Sequence, residues 1–594
     1  MNHYLCVYEE NEKSLLELLQ EDEVKLESPC GGNGTCGKCK VKIIEGIVNK
    51  PLVEEINHLS KEELDSGIRL ACLVYPKGDI TVDVLYKKER NQRVLAEGYI
   101  PEFEVNPVIS KRVYTLKKPT LENNVSYETL FSRTVKNLKI NNLEILKQLH
   151  KVFEEEKVTV IYDQDEIIGI EPEDTTESLY GIAVDIGTTT IVVSLVDLKK
   201  GVEIQSETAI NPQTKYGLDV LSRIDFVRKK ENGVDLLHKA MIDCLNTLIE
   251  KLCNKNHVSS KKIYEMTIAA NSTMMHLFLG IDTASIGKSP YVPVFASEQN
   301  FSASLLGINS SPFAKIYCLS GVSSYIGADI VAGVGVCDLD KRHKNILFID
   351  IGTNGEIVLS KKGELSSCSC AAGPALEGMN ISCGMRAAQG AIEGVEIKND
   401  NIHLKVIEDT SAIGICGSGI LEAISEMLRV GLVNKAGRIK SKESIIDDEN
   451  LKGYKNYLTE VDGKRRVLLG ENIWVTQGDI RQVQLAKGAI LSGFYSLLNF
   501  MNIDMKDLDE VIIAGQFGKH LKVDSLIGVG IIPDVLKEKV RYIGNSSKTG
   551  ALMCLLSHES RKKMEKLSKQ IHYFELSTDE NYEKLFTKCL SFKK

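Results

Sequence analysis

The chain has 594 residues, which is enough for several domains at about 100–200 residues each. Hydrophobic residues make up 43% and charged residues 26% of the sequence, a composition that excludes disordered and collagen-like proteins. The net charge of −8 argues against a general nucleic-acid or anionic-membrane surface. No stretch reaches the roughly 18 apolar residues of a membrane span, and no signal-peptide pattern is visible. We expect a cytoplasmic protein that binds neither nucleic acid nor membrane.

The first cysteines of the chain form a pattern that indicates a metal-binding loop. Cys30, Cys36, Cys39 and Cys72 have the spacing C-x5-C-x2-C-x32-C, with glycines that let the backbone wrap closely around a compact group. Structural zinc sites, the alternative, usually have two short ligand pairs, whereas this segment has one. The segment resembles a ferredoxin-type domain with a 2Fe-2S cluster. We expect these four cysteines to hold that cluster at a potential of about −400 mV.

Two strand–turn–strand segments far apart in the chain share a pattern that predicts phosphate binding. Backbone N–H groups and Thr hydroxyls of such turns can donate to phosphate oxygens, and an Asp at the strand end can hold Mg²⁺. Either Asp could instead orient the attacking water, so the sequence leaves these two roles open. The repeat predicts two similar half-domains. The residues are Asp185, Gly187, Thr188, Thr189 and Thr190 in the first segment, and Asp350, Gly352, Thr353, Asn354 and Gly355 in the second.

The paired segments resemble the superfamily that unites actin, Hsp70 and the acetate and sugar kinases. In that superfamily, two ribonuclease-H-like lobes bind ATP between them. The segment 511–521 resembles its adenosine-contacting turn, and 414–424 suits an inter-lobe turn, a nucleotide-proximal turn or a packing corner. There is no GxxxxGK[ST] motif, which disfavours a Walker-type fold. The resemblance assigns to the nucleotide Gly417, Ser418, Gly419, Gly515, Gln516 and Gly518.

The order of these parts predicts a multidomain α/β protein. We expect a β-grasp ferredoxin-like domain at 1–92, a linker at 93–125, a small middle domain at 126–178, and a two-lobed, actin/Hsp70-type ATPase domain at 179–594. The linker is predicted from irregular, proline-containing sequence, and the middle domain from one helical run and one strand.

Three further segments make the combination specific: NPQTKYGLDVLSRI at 211–224, NSTMMHLFLG at 271–280 and CAAGPALEG at 370–378. With them, the whole chain resembles the reductive activators of corrinoid proteins, iron–sulfur ATPases that return Co(II) corrinoid to Co(I) in methyltransferase systems. The resemblance implies a 2Fe-2S cluster, ATP and Mg²⁺, a corrinoid protein as partner and an upstream low-potential electron donor, and it suggests a homodimer. We expect the nucleotide to close the lobes and so favour electron transfer or partner release.

Other interpretations stay open at this point. An iron–sulfur redox sensor with nucleotide-controlled partner binding, or a small-molecule kinase with a redox module, could combine the same parts. Cys370 lies in a CAAG segment that also resembles the cluster-binding turn of the 2-hydroxyacyl-CoA dehydratase activators. We favour structural thiols at Cys368, Cys370 and Cys383, with a second cluster as the alternative. Glu356 reads as an ordinary strand residue.

Overall fold

The computed structural model describes residues 3–6, 13–22, 24, 26, 28, 30, 32–34, 36–84, 97–135, 143–461, 463–515 and 521–592. Within these residues, no helix combines the length and apolar character needed to cross a membrane. Four regions follow one another along the chain.

The first region is a four-stranded antiparallel sheet packed on a helix. Its elements are β1 (His3–Cys6), α1 (Leu15–Glu21), β2 (Lys40–Glu45), α2 (Val53–His58), α3 (Lys61–Asp65), β3 (Ile68–Leu70) and β4 (Ile80–Val84), with strand order β1-β4-β2-β3. Ser14 begins α1 with a capping box to Glu17, and the helix buries Leu15, Leu16 and Leu19 in the core. The predicted ferredoxin-like domain is confirmed.

The second region is a small antiparallel sheet with two helices. It contains β5 (Ile109–Thr115), α4 (Tyr127–Thr134), α5 (Leu143–Val152), β6 (Lys157–Asp163) and β7 (Glu166–Pro172), with strand order β5-β6-β7. The predicted linker at 93–125 therefore contributes a strand to this sheet. β5 lies at the sheet edge and is largely polar, so it lacks the apolar alternation by which a half-buried strand is recognised.

The third region is the first lobe of the large domain. It contains β8 (Tyr180–Ile186), β9 (Thr190–Asp197), β10 (Val202–Ile210), α6 (Val220–Lys229), α7 (Gly233–Lys255), β11 (Ile263–Ala270), α8 (Ser272–Phe278), β12 (Gln299–Ser302), β13 (Lys315–Cys318) and α9 (Ala328–Val336). The strand order is β10-β9-β8-β11-β13-β12. β8 and β9 form an antiparallel hairpin, and β11 lies parallel to both β8 and β13.

The fourth region is the second lobe. Its main sheet has the order β24-β23-β14-β15-β16-β25, and two three-stranded sheets, β18-β17-β19 and β20-β21-β22, flank it. Its elements are β14 (Asn345–Ile351), β15 (Gly355–Lys361), β16 (Glu364–Cys370), β17 (Ala391–Lys398), β18 (Asn401–Val406), β19 (Gly414–Ile415), α10 (Gly417–Val430), β20 (Leu458–Val461), β21 (Lys464–Gly470), β22 (Ile473–Thr476), α11 (Gln477–Phe500), β23 (Glu510–Ala514), α12 (Val523–Val529), β24 (Val540–Gly544), α13 (Ser546–Leu556), α14 (His558–Gln570), β25 (His572–Tyr573) and α15 (Tyr582–Cys589).

The two lobes share one strand plan. In the first lobe, β8, β9 and β10 are antiparallel neighbours, and β11 and β13 extend the sheet on the other side of β8, parallel to it. In the second lobe, β14, β15 and β16 form the same antiparallel unit, and β23 and β24 extend the sheet parallel to β14. α13 leaves the second lobe and packs on β8, β11 and α9 of the first. The predicted pair of similar lobes is confirmed, and α13 fastens one lobe to the other.

Candidate cluster and nucleotide sites

The four predicted cluster ligands lie together at one end of the ferredoxin-like domain. Their sulfur atoms form two pairs, with Cys36 Sγ 3.3 Å from Cys30 Sγ and Cys39 Sγ 3.3 Å from Cys72 Sγ. Gly37 has a φ of +64°, and a side chain there would press on His58 at 3.0 Å, so the loop needs glycine to wrap this closely. Two cysteine pairs match the ligand demand of a two-iron cluster, in which each iron takes two thiolates.

The chemistry of this donor set also fits a cationic cluster. Hydrogen bonds to Cys30 and Cys39 raise the pKa of Cys72, and the hydrogen bond to Cys30 raises that of Cys36. The hydrogen bond from Cys72 lowers the pKa of Cys39. Crowded thiols of this kind do not all ionise unless positive charge lies between them, which is what iron would supply.

A buried ion pair positions the last of these ligands. Arg69 donates to both carboxylate oxygens of Glu55, at 2.9 and 2.7 Å, and Glu55 also accepts from the Leu70 backbone N–H at 3.0 Å. Both charged side chains are at most 7% exposed. Because the pair fixes the end of β3 immediately before Cys72, it holds that thiol beside Cys39.

The first hairpin joins β8 to β9 and carries the first predicted phosphate turn. Gly187, Thr188 and Thr189 form the turn and Thr190 begins β9. Asp185, near the end of β8, accepts from Asn545 Nδ2 and Ser547 Oγ, both at 2.7 Å. Because Asn545 is also the N-cap of α13, the helix that fastens the lobes together orients this carboxylate.

The second hairpin joins β14 to β15 and has the same form. Gly352, Thr353 and Asn354 form its turn, Gly355 begins β15, and Asp350 lies near the end of β14. Gly515 follows β23 with a φ of +90°, and a side chain there would come within 2.5 Å of Asp350 Oδ1. Gly515 therefore lies beside Asp350, and its predicted contact with adenosine stays a prediction, whereas Gln516 and Gly518 fall outside the described residues.

Four carboxylates from the two lobes interact electrostatically. Burial raises the pKa of Asp350 to about 7, with a smaller contribution from the negative charge of Asp185. Burial raises the pKa of Asp329 to about 8, with a smaller contribution from the charge of Asp350. Burial raises the pKa of Asp185, and burial with the charges of Asp329 and Asp350 raises that of Glu356. Among the described residues, these carboxylates form no group of three or more acidic, His or Cys side chains arranged so that they could hold a metal ion, so Mg²⁺ binding at them stays a prediction.

Glu377 joins the two hairpins across the cleft. Its Oε2 accepts from Thr189 Oγ1 at 2.9 Å and its Oε1 accepts from Thr353 Oγ1 at 2.7 Å. It is the last residue of a short 3-10 turn, Pro374–Glu377, within the CAAGPALEG segment. Two of the hydroxyls that the sequence assigns to phosphate, one in each hairpin, are thus already in contact with one carboxylate.

The chain matches four family descriptions in sequence order. They are the 2Fe-2S iron-sulfur cluster binding domain at 5–77, the RACo linker region at 101–177, the RACo middle region at 180–342, and the C-terminal domain of RACo, the ASKHA domain, at 344–594. The corrinoid activation enzyme RamQ of Eubacterium limosum is 30% identical over 569 residues, covering 93% of this chain and 92% of that protein. The chain belongs to the RACo family.

Two further proteins are similar over much of the RACo-type chain. The Co(II) methylated amine-specific corrinoid protein reductase of Methanosarcina barkeri is 24% identical, covering 70% of this chain and 77% of that protein. A solved structure titled reductive activator for corrinoid, iron-sulfur protein is 32% identical with a TM-score of 0.73, covering 99% and 98% of the two chains. The resemblance to the reductive activators, stated from the sequence, is confirmed. The RACo linker region spans what the sequence divided into a linker and a small middle domain.

Sequence reasoning missed three residues of the cleft in this RACo family member. Glu356, interpreted as a strand residue, contributes to the carboxylate cluster, and neither Asp329 nor Glu377 was singled out. Asp329 stands in the first turn of α9, after Gly327. The only available signal was its glycine-flanked acidic position, which is common at ordinary helix starts.

The segment with Gly417, Ser418 and Gly419 begins α10. A side chain at Gly419 would come within 2.1 Å of the Ile392 carbonyl oxygen, and Cys416 Sγ lies 3.3 Å from Ser418 Oγ. Close packing therefore accounts for the glycine at 419. Contact of these residues with nucleotide stays a prediction.

Proposed function

We propose that this protein is an ATP-dependent reductive activator, which returns the Co(II) corrinoid of a partner protein to Co(I) by transfer of one electron. The observation that carries the proposal is the combination, in one RACo-family chain, of two cysteine pairs and a two-hairpin cleft. Cys30, Cys36, Cys39 and Cys72 would hold a 2Fe-2S cluster, which supplies one-electron transfer when bound.

The cleft residues would couple ATP to this electron transfer. The turns of both hairpins would bind the phosphates, and Asp185 or Asp350 would hold Mg²⁺ or orient the attacking water. Reduction of Co(II) is uphill from a ferredoxin-like potential, and each 59 mV of mismatch costs about 1.4 kcal/mol. ATP can offset that cost only if the nucleotide states bind the partner complex differently.

Several parts of this function stay predictions. They are a homodimeric assembly, a cytoplasmic location and an upstream low-potential electron donor. This donor must reduce the cluster again after each electron transfer to the corrinoid.

The test is an anaerobic reduction of a Co(II) corrinoid protein by the reduced, cluster-loaded chain, with cobalt absorbance followed with and without Mg-ATP. We expect ATP-dependent formation of Co(I), abolished in Cys36→Ser and in Asp185→Ala. Cys244→Ser, which removes a half-buried thiol of α7, and Asp243→Ala, which removes an exposed carboxylate of that helix, are matched controls that should keep the activity. ATP hydrolysis without Co(I) formation from any corrinoid protein tested would contradict the proposal.

A further inference from the structure

Glu377 has a role that the hairpin motifs do not assign. Its two carboxylate oxygens accept from hydroxyls of opposite lobes, Thr189 at 2.9 Å and Thr353 at 2.7 Å. Thr353 is only 6% exposed, so without nucleotide its hydroxyl is largely shielded from water and depends on Glu377 as its acceptor. One side chain therefore engages both of the turns that are proposed to bind phosphate.

The backbone around Glu377 holds its carboxylate in this position. Ala375 and Leu376, immediately before it, are buried in the core of the second lobe. Gly378, immediately after it, has a φ of +76°, and a side chain there would come within 2.5 Å of the Met385 carbonyl oxygen. Because the backbone of the turn is anchored on both sides, the fold places the carboxylate between the hairpins, and only a rotation of the Glu377 side chain can withdraw it.

A phosphate group would compete with Glu377 for these two hydroxyls. Each Thr hydroxyl has one proton, so a hydroxyl that donates to Glu377 cannot also donate to a phosphate oxygen. A carboxylate and a phosphate at the same position would also repel each other. Glu377 presents to the hairpins what a phosphate presents: two adjacent anionic oxygens that accept hydrogen bonds.

The surrounding charge is consistent with an anion at this point. Arg223 is fully buried, and its guanidinium donates to the Thr188 carbonyl oxygen of the first hairpin. Burial lowers its pKa to about 9, while the charges of Asp219 and Glu377 oppose that shift. A phosphate that replaced Glu377 between the hairpins would therefore preserve the negative charge near this cation.

We propose that Glu377 is a positioning residue that competes with a phosphate of ATP for Thr189 and Thr353, and that it must withdraw before both hairpins can bind the nucleotide. This inference rests on the proposed nucleotide-binding role of the hairpins. The apparent affinity for ATP is then the intrinsic affinity multiplied by the fraction of molecules in which the carboxylate has withdrawn. Through the same contact, the Glu377 carboxylate ties the two lobes together.

The test measures Mg-ATP binding to the full chain by calorimetry. We expect Glu377→Ala to bind Mg-ATP on the order of tenfold more tightly than wild type, because no competing state remains. Glu377→Gln should lie between them, because its amide oxygen still accepts from one Thr while the other hydroxyl is freed. Glu364→Gln, at an exposed position of the same lobe, is the matched control and should leave the Kd unchanged.

Amide hydrogen exchange supplies a readout that does not depend on activity. Without nucleotide, residues 187–190 and 352–355 should exchange faster in Glu377→Ala than in wild type, and with saturating Mg-ATP the two proteins should match. An unchanged or weaker affinity in both Glu377 variants, with a fall in kcat, would overturn the inference and identify Glu377 as a catalytic group. A wild-type chain that binds no Mg-ATP would overturn the proposed function itself.

Discussion

At the residue scale, the cleft is defined by carboxylates that oppose one another's ionisation. Asp185 is oriented by two donors, whereas Asp329 and Asp350 have pKa values raised to about 8 and about 7 by burial and by neighbouring charge. Side chains with such pKa values are expected where a site must accept a cation and a reacting water. The folded chain therefore takes up protons at these carboxylates at a higher pH than an unfolded chain would.

Asp329→Asn should change how stability depends on pH. The pKa of Asp329 is about 8 in the folded chain and 3.8 as its ordinary value, so the folded form binds the proton more tightly. The free energy of unfolding contributed by this group therefore falls as pH rises from about 4 to about 8. Between pH 5 and pH 8.5, in EDTA, we expect Asp329→Asn to lose less stability than wild type, by up to about 4 kcal/mol, because about three pH units at about 1.4 kcal/mol each lie between pH 5 and the folded pKa.

Urea denaturation at several pH values measures this difference. Asp282→Asn, at an exposed loop position, is the control and should follow the wild-type profile. Parallel profiles for Asp329→Asn and wild type would contradict the electrostatic account of the cleft. Added Mg²⁺ at pH 8.5 should stabilise the wild type more than the variant.

At the scale of the element, the sequence was most informative where a functional motif consists of residues that are close together in the chain. The cysteine spacing and the two strand–Asp–turn patterns need only neighbouring residues, so both predicted hairpins and the ferredoxin-like sheet are present. Glu377 could not be predicted, because its partner Thr189 lies 188 residues away and only the lobe packing unites them. β5 was missed for a different reason: an edge strand with a polar pattern has no strong local signal.

The end of β16 provides a test of the second-cluster alternative. Cys370 Sγ donates to the Gly355 carbonyl oxygen at 2.9 Å, and burial raises the pKa of this thiol well above its ordinary value. This thiol is already engaged by a backbone carbonyl in the close-packed core of the second lobe, which favours a structural role. We expect Cys370→Ser to keep the wild-type iron content and to cost about 1 kcal/mol of stability, since a serine hydroxyl can donate to the same carbonyl.

Iron analysis and electron paramagnetic resonance of the reduced chain measure this outcome. Cys36→Ser is the matched comparison, because it removes a thiol at a predicted cluster position and should lower the iron content. A similar loss of iron in Cys370→Ser would support a second cluster and contradict the structural role.

At the scale of the whole molecule, one segment links the first hairpin to the ferredoxin-like domain. Arg223 in α6 donates to the Thr188 carbonyl oxygen, and Asn211 Nδ2 donates to that of Gly187 at 2.8 Å. Between these two residues, the Lys215 carbonyl oxygen points to the other domain. The NPQTKYGLDVLSRI segment therefore contacts the first hairpin through Asn211 and Arg223, and the ferredoxin-like domain through Lys215.

The ferredoxin-like domain contacts this segment and the end of α6 through several polar groups. Gln20 and Ser28 both donate to the Lys215 carbonyl oxygen at 3.0 Å, and Lys230 Nζ lies 2.8 Å from Glu17 Oε1. Lys229 Nζ donates to Asn33 Oδ1, in the cysteine loop, at 3.2 Å. A change in the first hairpin could thus reach the cluster domain through a short chain of direct contacts, which is the physical requirement for coupling.

The Glu17–Lys230 pair is the part of this interface that a double-mutant cycle can isolate. We expect Glu17→Gln and Lys230→Gln each to speed amide exchange in 13–22 and 211–217 about two- to fivefold, because an exposed ion pair contributes about 0.2–1 kcal/mol. Glu17→Gln keeps the capping box of α1, since its side-chain carbonyl can still accept from the Ser14 N–H. The double variant should add nothing to either single variant.

Three comparisons decide this prediction. Raised ionic strength should reproduce the effect in wild type but not in the double variant, because salt screens the same attraction. Lys200→Gln, which removes an ion pair to Asp197 within the first lobe, should leave exchange in 13–22 unchanged. Additive effects of the two single variants would show that Glu17 and Lys230 act separately, and the ion pair would then have no part in holding the ferredoxin-like domain against the ATPase lobe.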